Sequence, residues 1–142
     1  MQKFKWDSHL ETGNELIDLE HRQIIQIYND CVELVQGGTG TGILIEKLHE
    51  LQAKIAAHFK TEEILAGCIP ASDAGKVKLA QHKEMHDDML GFLDSSIAKL
   101  TELDDNTVAA QELFDHVYAW YGTHIENEDK DFVTHVKRRF AS

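Results

Sequence analysis

The stretch LIEKLHELQAKIAAHFKTEEIL, residues 44–65, decides the fold of this chain because its core positions keep one rhythm without a missed step. Leu44, Leu48, Leu51, Ile55, His58, Glu62 and Leu65 follow one another by alternating steps of four and three, the seam of a helix packed in a bundle. Three other segments repeat the pattern. The first carries Ile17, His21, Ile24, Tyr28, Cys31 and Val35; the third Leu79, His82, His86, Met89, Leu93, Ile97 and Leu100; the fourth Leu113, Val117, Trp120 and His124. Breaks fall at Gly37–Gly42, at Pro70 and at Leu103–Thr107, where Asp104, Asp105 and Asn106 are suited to cap a new helix. The glycine run lacks the Lys-Ser/Thr that would follow in a phosphate-binding loop, so it reads as a connection between helices. Short connections force successive helices to run in opposite directions. The expected fold is all-α, an antiparallel up-down-up-down four-helix bundle with an N-terminal arm and a short C-terminal helix, residues 1–142 forming a single domain.

Composition narrows the functional classes. Fourteen Lys and Arg against 25 Asp and Glu give a net charge of −11, which repels phosphate backbones and anionic lipid heads and argues against nucleic acid or a membrane as partner. No apolar run approaches the roughly 18 residues that span a bilayer, and the first fifteen residues have no apolar signal core. Cys31 and Cys68 form no CxxC pair, which suits a reducing compartment and offers no thiolate metal site. A cytoplasmic protein is expected.

Histidine is the anomaly, with nine in 142 residues. Every stripe is interrupted by one or more of them at positions where an apolar side chain is called for, and the second stripe also by Glu62. A lone histidine on an apolar face is usually a hydrogen-bonded core residue. Here, however, His21 lies near the start of the first helix, His58 and Glu62 near the end of the second, His82 and His86 near the start of the third, and His124 near the end of the fourth. An up-down-up-down bundle brings all six to one level. Several such groups in a dry layer each lose several kcal/mol of hydration unless paired or coordinated. A bound cation removes the difficulty, and imidazole with carboxylate suits iron, zinc, copper or nickel. A single tetrahedral zinc takes four ligands, so two metal ions bridged by carboxylate fit the set better.

The order of these residues along the chain is a single His at His21, HxxxE at His58–Glu62, HxxxH at His82–His86 and HxxxxD at His124–Asp129. This ordered set resembles the hemerythrin family, and Phe4-Lys5-Trp6 with Ile17-Asp18-Leu19-Glu20-His21 is similar to the opening of its bacterial branch. The likeness runs over roughly residues 4 to 135. It implies the same fold, since myohemerythrin is itself an up-and-down bundle. It also implies two iron ions joined by an oxo or hydroxo bridge and two carboxylate bridges. Carried onto this chain, His82, His86 and His124 would bind one iron, His21 and His58 the other, and Glu62 and Asp129 would bridge. The second iron would keep an open position where family members bind dioxygen. Phe59, Trp120, Tyr121 and Ile125 would line that pocket, with Tyr121 standing where the family typically has leucine; its ring either lines the pocket or turns outward along the bundle.

Spacing by itself leaves one position open. In a regular α-helix Glu128, four residues after His124, shares its face, whereas Asp129 lies about 140° away. The resemblance chooses Asp129, which requires a π-bulge or a break after His124. The remaining histidines fall outside the set: His9, His49 and His135 are expected at the surface, and His116 lies too far from His124 along the helix to bind the same ion. Three roles are compatible with such a chain. The first is a non-enzymatic binding protein that stores, delivers or scavenges dioxygen, expected because no catalytic domain follows the fourth helix. The second is a module sensing oxygen, nitric oxide or redox state, and the third a weak di-iron peroxidase or oxidase. A protein partner that receives oxygen or a signal fits the first two.

Overall fold

Asn14 starts the first long helix, its side chain accepting the backbone N–H of Ile17 at 3.0 Å, a cap worth about 1 kcal/mol. From it runs α1, Glu15–Gln36, followed by α2, Thr41–Ala66, α3, Gly75–Glu102, and α4, Thr107–His124; a π-helical turn at Ile125–Asp129 then leads into α5, Lys130–Phe140. The structure is a computed structural model and describes residues 1–38, 40–67, 75–103 and 107–140, with the side chains of 75–78, 135 and 137–140 left aside. The expected break at Pro70, the capping residues Asp104–Asn106, Cys68 and the side chain of His135 therefore lie outside the described residues. Within them there is no strand, and no helix is long and apolar enough to cross a membrane.

Paired side chains fix the direction of each helix. Near the start of α1, Glu20 meets His58 and Thr61 at the end of α2, while Asp30 further along α1 meets Lys47 near the start of α2. Gln52 of α2 donates to Asp94 of α3, and His82 at the start of α3 meets His124 at the end of α4. Tyr28 packs on Phe114, and His21 on Tyr121, which closes α4 back onto α1. The result is the antiparallel four-helix bundle. The connection from α1 to α2 turns at Gly38, whose φ of +68° glycine adopts at no steric cost.

The N-terminal arm, residues 1–14, is tied along the α1 and α4 faces. Phe4 exchanges two hydrogen bonds with the Asn29 amide, at 2.8 and 2.9 Å, and its ring stacks on Tyr118 with centroids 4.6 Å apart. Buried Asp18 accepts from the backbone N–H and hydroxyl of Thr12 and from the N–H of Gly13. These bonds hold the chain as it enters α1, one turn before His21.

The apolar interior has two parts. The larger runs from Ile24, Tyr28 and Cys31 through Leu48, Leu51, Leu93, Leu113 and Val117 to Phe59 and Ile125; burial pushes the Cys31 thiol up to about 12. The smaller is Ile17 with Phe132, Val133 and Val136 of α5, which cap one end of the bundle. The stripes differ from expectation on α4, where Tyr121 is buried and Trp120 only half-buried, so the seam passes through Val117, Tyr121 and His124. Val35, Leu65 and Leu79, at the outer ends of their stripes, are also half-buried.

Candidate metal centre

Between the two apolar clusters sits a layer of polar side chains. His21 comes from α1, His58 and Glu62 from α2, His82 and His86 from α3, His124 from the end of α4, and Asp129 from the π turn; each is at most 7% exposed. The i, i+4 spacing stacks His58 over Glu62 and His82 over His86 on single helix faces. Asp129 reaches the layer by another route, because a π turn bonds residues five apart and so returns residue 129 to the face of residue 124. Asp129 is 0% exposed, whereas the Glu128 side chain is 31% exposed and lies 3.8 Å from the far nitrogen, Nδ1, of His124.

The two carboxylates divide their oxygens between two sets of nitrogens. Glu62 Oε1 stands 2.7 Å from His58 Nε2 and 4.0 Å from His21 Nε2, while its Oε2 stands 3.2 Å from Nε2 of both His82 and His86. Asp129 Oδ2 lies 2.9 Å from His21 Nε2, and its Oδ1 lies 2.9 Å from His82 Nε2 and 3.0 Å from His124 Nε2. His124 Nε2 is in turn 3.0 Å from that of His82 and 3.1 Å from that of His86. Among the described residues two groups of potential ligands result: Glu62, His82, His86, His124 and Asp129, and His21, His58, Glu62 and Asp129, each with its ligand atoms within 4.8 Å of one another.

Hydrogen bonding alone does not satisfy this layer. His58 Nε2, His21 Nε2, both Glu62 oxygens and Asp129 Oδ2 are sealed from solvent without a hydrogen bond of acceptable geometry. Buried groups of this kind are costly unless something takes their lone pairs. A pair of cations does so, and imidazole with carboxylate is a donor set that iron accepts. Without metal the layer turns to protons. Burial opposes protonation of His58, but the close approach of Glu62 and the charges of Glu62 and Asp129 outweigh it and hold the ring up to about 9. His82 reaches about 9 in the same way, through Asp129 and Glu62. Burial and the Asp129 charge push Glu62 up, yet the close approach of His58, His82 and His86 holds it far below the carboxylate range. Asp129 is likewise held low, its burial outweighed by His124, His21 and His82, while burial lowers His86.

Aromatic rings fence the layer. Phe59 stacks on His86 with centroids 3.7 Å apart and planes 3° apart, and Trp120 stacks on His124 at 4.5 Å and 13°. Tyr121 stands edge-on to His21 at 5.9 Å, turned inward, and Ile125 is fully buried. Glu20 is a member that sequence reasoning passed over: its carboxylate lies 3.0 Å from His58 Nδ1 and accepts from the Thr61 hydroxyl at 3.0 Å. The available signal was the habit of metal-bound imidazoles of donating their second N–H to a carboxylate. His9, His49 and His116 are exposed, and His116 lies over the Phe92 ring at 4.0 Å.

Comparison with known proteins agrees with this geometry. The family described as hemerythrin HHE cation binding domain matches residues 12–136. The chain belongs to the hemerythrin family. Proteins named bacteriohemerythrin resemble it along most of their length: that of Clostridium acetobutylicum is 29% identical over 92% of this chain and 98% of its own, and that of Pseudomonas aeruginosa 27% identical over 99% and 86%. A third, from Stenotrophomonas maltophilia, is 25% identical over 93% and 80%. No solved structure matches at a significant level. A hemerythrin domain binds a di-iron centre and, through it, dioxygen, and the buried histidine and carboxylate cage of this chain is able to hold that centre.

Proposed function

We propose that the chain, folded as one hemerythrin domain, binds dioxygen reversibly for storage, delivery or scavenging in the cytoplasm, with His82, His86 and His124 holding one iron, His21 and His58 the other, and Glu62 and Asp129 bridging. The observation that carries this reading is the division of each carboxylate, one oxygen toward each nitrogen set. The set is unequal, three imidazoles against two, so the side of His21 and His58 is where a ligand enters. Bound ferrous iron supplies the electrons that make dioxygen binding possible. The protein supplies the rest. Glu20 accepts the second N–H of His58 and fixes its ring, with Thr61 holding Glu20 in turn. Phe59, Trp120, Tyr121 and Ile125 wall the pocket and exclude bulk water, and the stacking of Phe59 and Trp120 fixes the planes of His86 and His124.

The test is metal analysis of protein reconstituted anaerobically with ferrous iron, with optical spectra before and after air. About two irons per chain and a spectrum that returns on removing oxygen are expected. Saturation at one metal, or irreversible oxidation with turnover of an added electron donor, would overturn the carrier reading.

A further inference from the structure

Tyr121 carries a hydroxyl that has no hydrogen-bond partner among the described residues. The residue is 1% exposed, and its oxygen is sealed from solvent without a hydrogen bond. Tyr28, equally buried, shows how a core phenol is normally accommodated: its hydroxyl lies 2.8 Å from the Gln2 carbonyl and 3.0 Å from that of Phe114. An unpaired buried hydroxyl costs about 1–3 kcal/mol. The rings around Tyr121 are Phe4 at 6.3 Å, Trp120 at 6.3 Å and His21 at 5.9 Å, and two of these three offer nothing to accept a proton. The third, His21, belongs to the metal layer. Asp129 and Glu62 direct their oxygens at the histidines, and the hydroxyl, on a ring that stands edge-on to His21, bonds to none of them.

We propose that Tyr121 selects the ligand of this site, its hydroxyl donating a hydrogen bond to a small anion or a diatomic ligand that gains negative charge on binding beside His21 and His58. This rests on the two-iron reading and adds that the pocket discriminates by charge, which a hydrocarbon wall cannot do.

The test uses iron-loaded, oxidised protein titrated with azide, comparing the parent with Tyr121→Phe and Tyr121→Leu. Both variants should keep the parent's iron content, and Tyr121→Phe should weaken azide about tenfold, the effect of removing one hydrogen bond to a charged acceptor. The azide stretch should shift between water and heavy water in the parent and not in Tyr121→Phe. Metal-free Tyr121→Phe should melt no lower than the parent, since the hydroxyl it loses was unpaired; a structural role would lower it. Equal azide affinity with an equal isotope shift would overturn the proposal. An iron–phenolate absorption band in azide-free parent protein, abolished by Tyr121→Phe, would also overturn it. A parent protein that takes up no pair of irons would defeat the underlying reading and the proposal with it, and metal analysis of the same samples separates that case.

Discussion

Asp129 Oδ1 lies 3.0 Å from His124 Nε2 although Asp129 stands five positions further along one continuous helical run. The π turn makes this approach possible and leaves Glu128, the residue with regular α spacing, facing outward. Replacing Asp129 by Asn should therefore lower bound iron from about two per chain to one or fewer, because the amide offers one neutral oxygen where the carboxylate offers two that share a negative charge. Glu128→Gln should leave the content unchanged. Iron analysis after reconstitution checks both, and the reverse pattern would assign the bridge to Glu128.

The stripes of α1, α2 and α3, and the level at which the histidines of all four helices meet, were legible in the sequence because helical periodicity and short connections are local properties. His21, His58, Glu62, His82, His86 and His124 needed nothing more. The geometry of Asp129 was less accessible, since Ile125–Asp129 contains neither glycine nor proline and nothing local demands a wider turn. What holds that turn is burial: Ile125 and Asp129 are both 0% exposed, and a regular helix would carry Asp129 away from the layer. Glu20 was hidden for a related reason. It lies beside the stripe, and its role depends on where α2 places His58 and Thr61. The orientation of Tyr121 was also open to sequence, because Trp120 and Tyr121 are adjacent and only packing against Phe4 and His21 decides which turns inward.

Metal removal should cost stability. A ligand that binds only the folded state, present at a thousandfold its dissociation constant, adds about 4 kcal/mol. For a chain of this length that corresponds to about 10 °C in melting temperature. Calorimetry of iron-loaded and chelator-treated protein at pH 8 should show that gap. Coincident transitions would mean that the seven residues do not share a metal-binding layer.

Glu20→Ala should weaken iron binding about 10- to 100-fold, the usual cost of removing the partner of a metal-bound imidazole. Glu20→Gln should lose less, since its amide oxygen can still accept from His58 Nδ1. Thr61→Ala should fall between the parent and Glu20→Ala, because it frees the carboxylate without deleting it. Competition against a chelator of known affinity measures all three. An unchanged Glu20→Ala would reduce this carboxylate to a surface charge.

In the metal-free protein the same layer should produce a pH dependence that the loaded one lacks. His58 and His82 are held up to about 9, against an unfolded value of about 6.5. A raised histidine contributes its full stability below pH 6.5 and loses it as the pH climbs through 9. Glu62 and Asp129, held low, contribute above about pH 4 and lose their share only in acid. His86, lowered by burial, likewise favours folding only above the range where it would protonate. The metal-free protein should therefore melt highest at mildly acidic pH and fall steadily from pH 6.5 to 9. With iron bound, the metal takes the place of protons on the ligating histidine nitrogens, and raising the pH removes the protons that compete with it. The loaded protein should hold its melting temperature over that window, so the gap between the two forms widens with pH. His82→Gln should remove about half of the metal-free decline, since it deletes one of the two raised groups. A metal-free melting temperature that is flat or rising from pH 6.5 to 9 would mean that these histidines are not charged by their carboxylate neighbours.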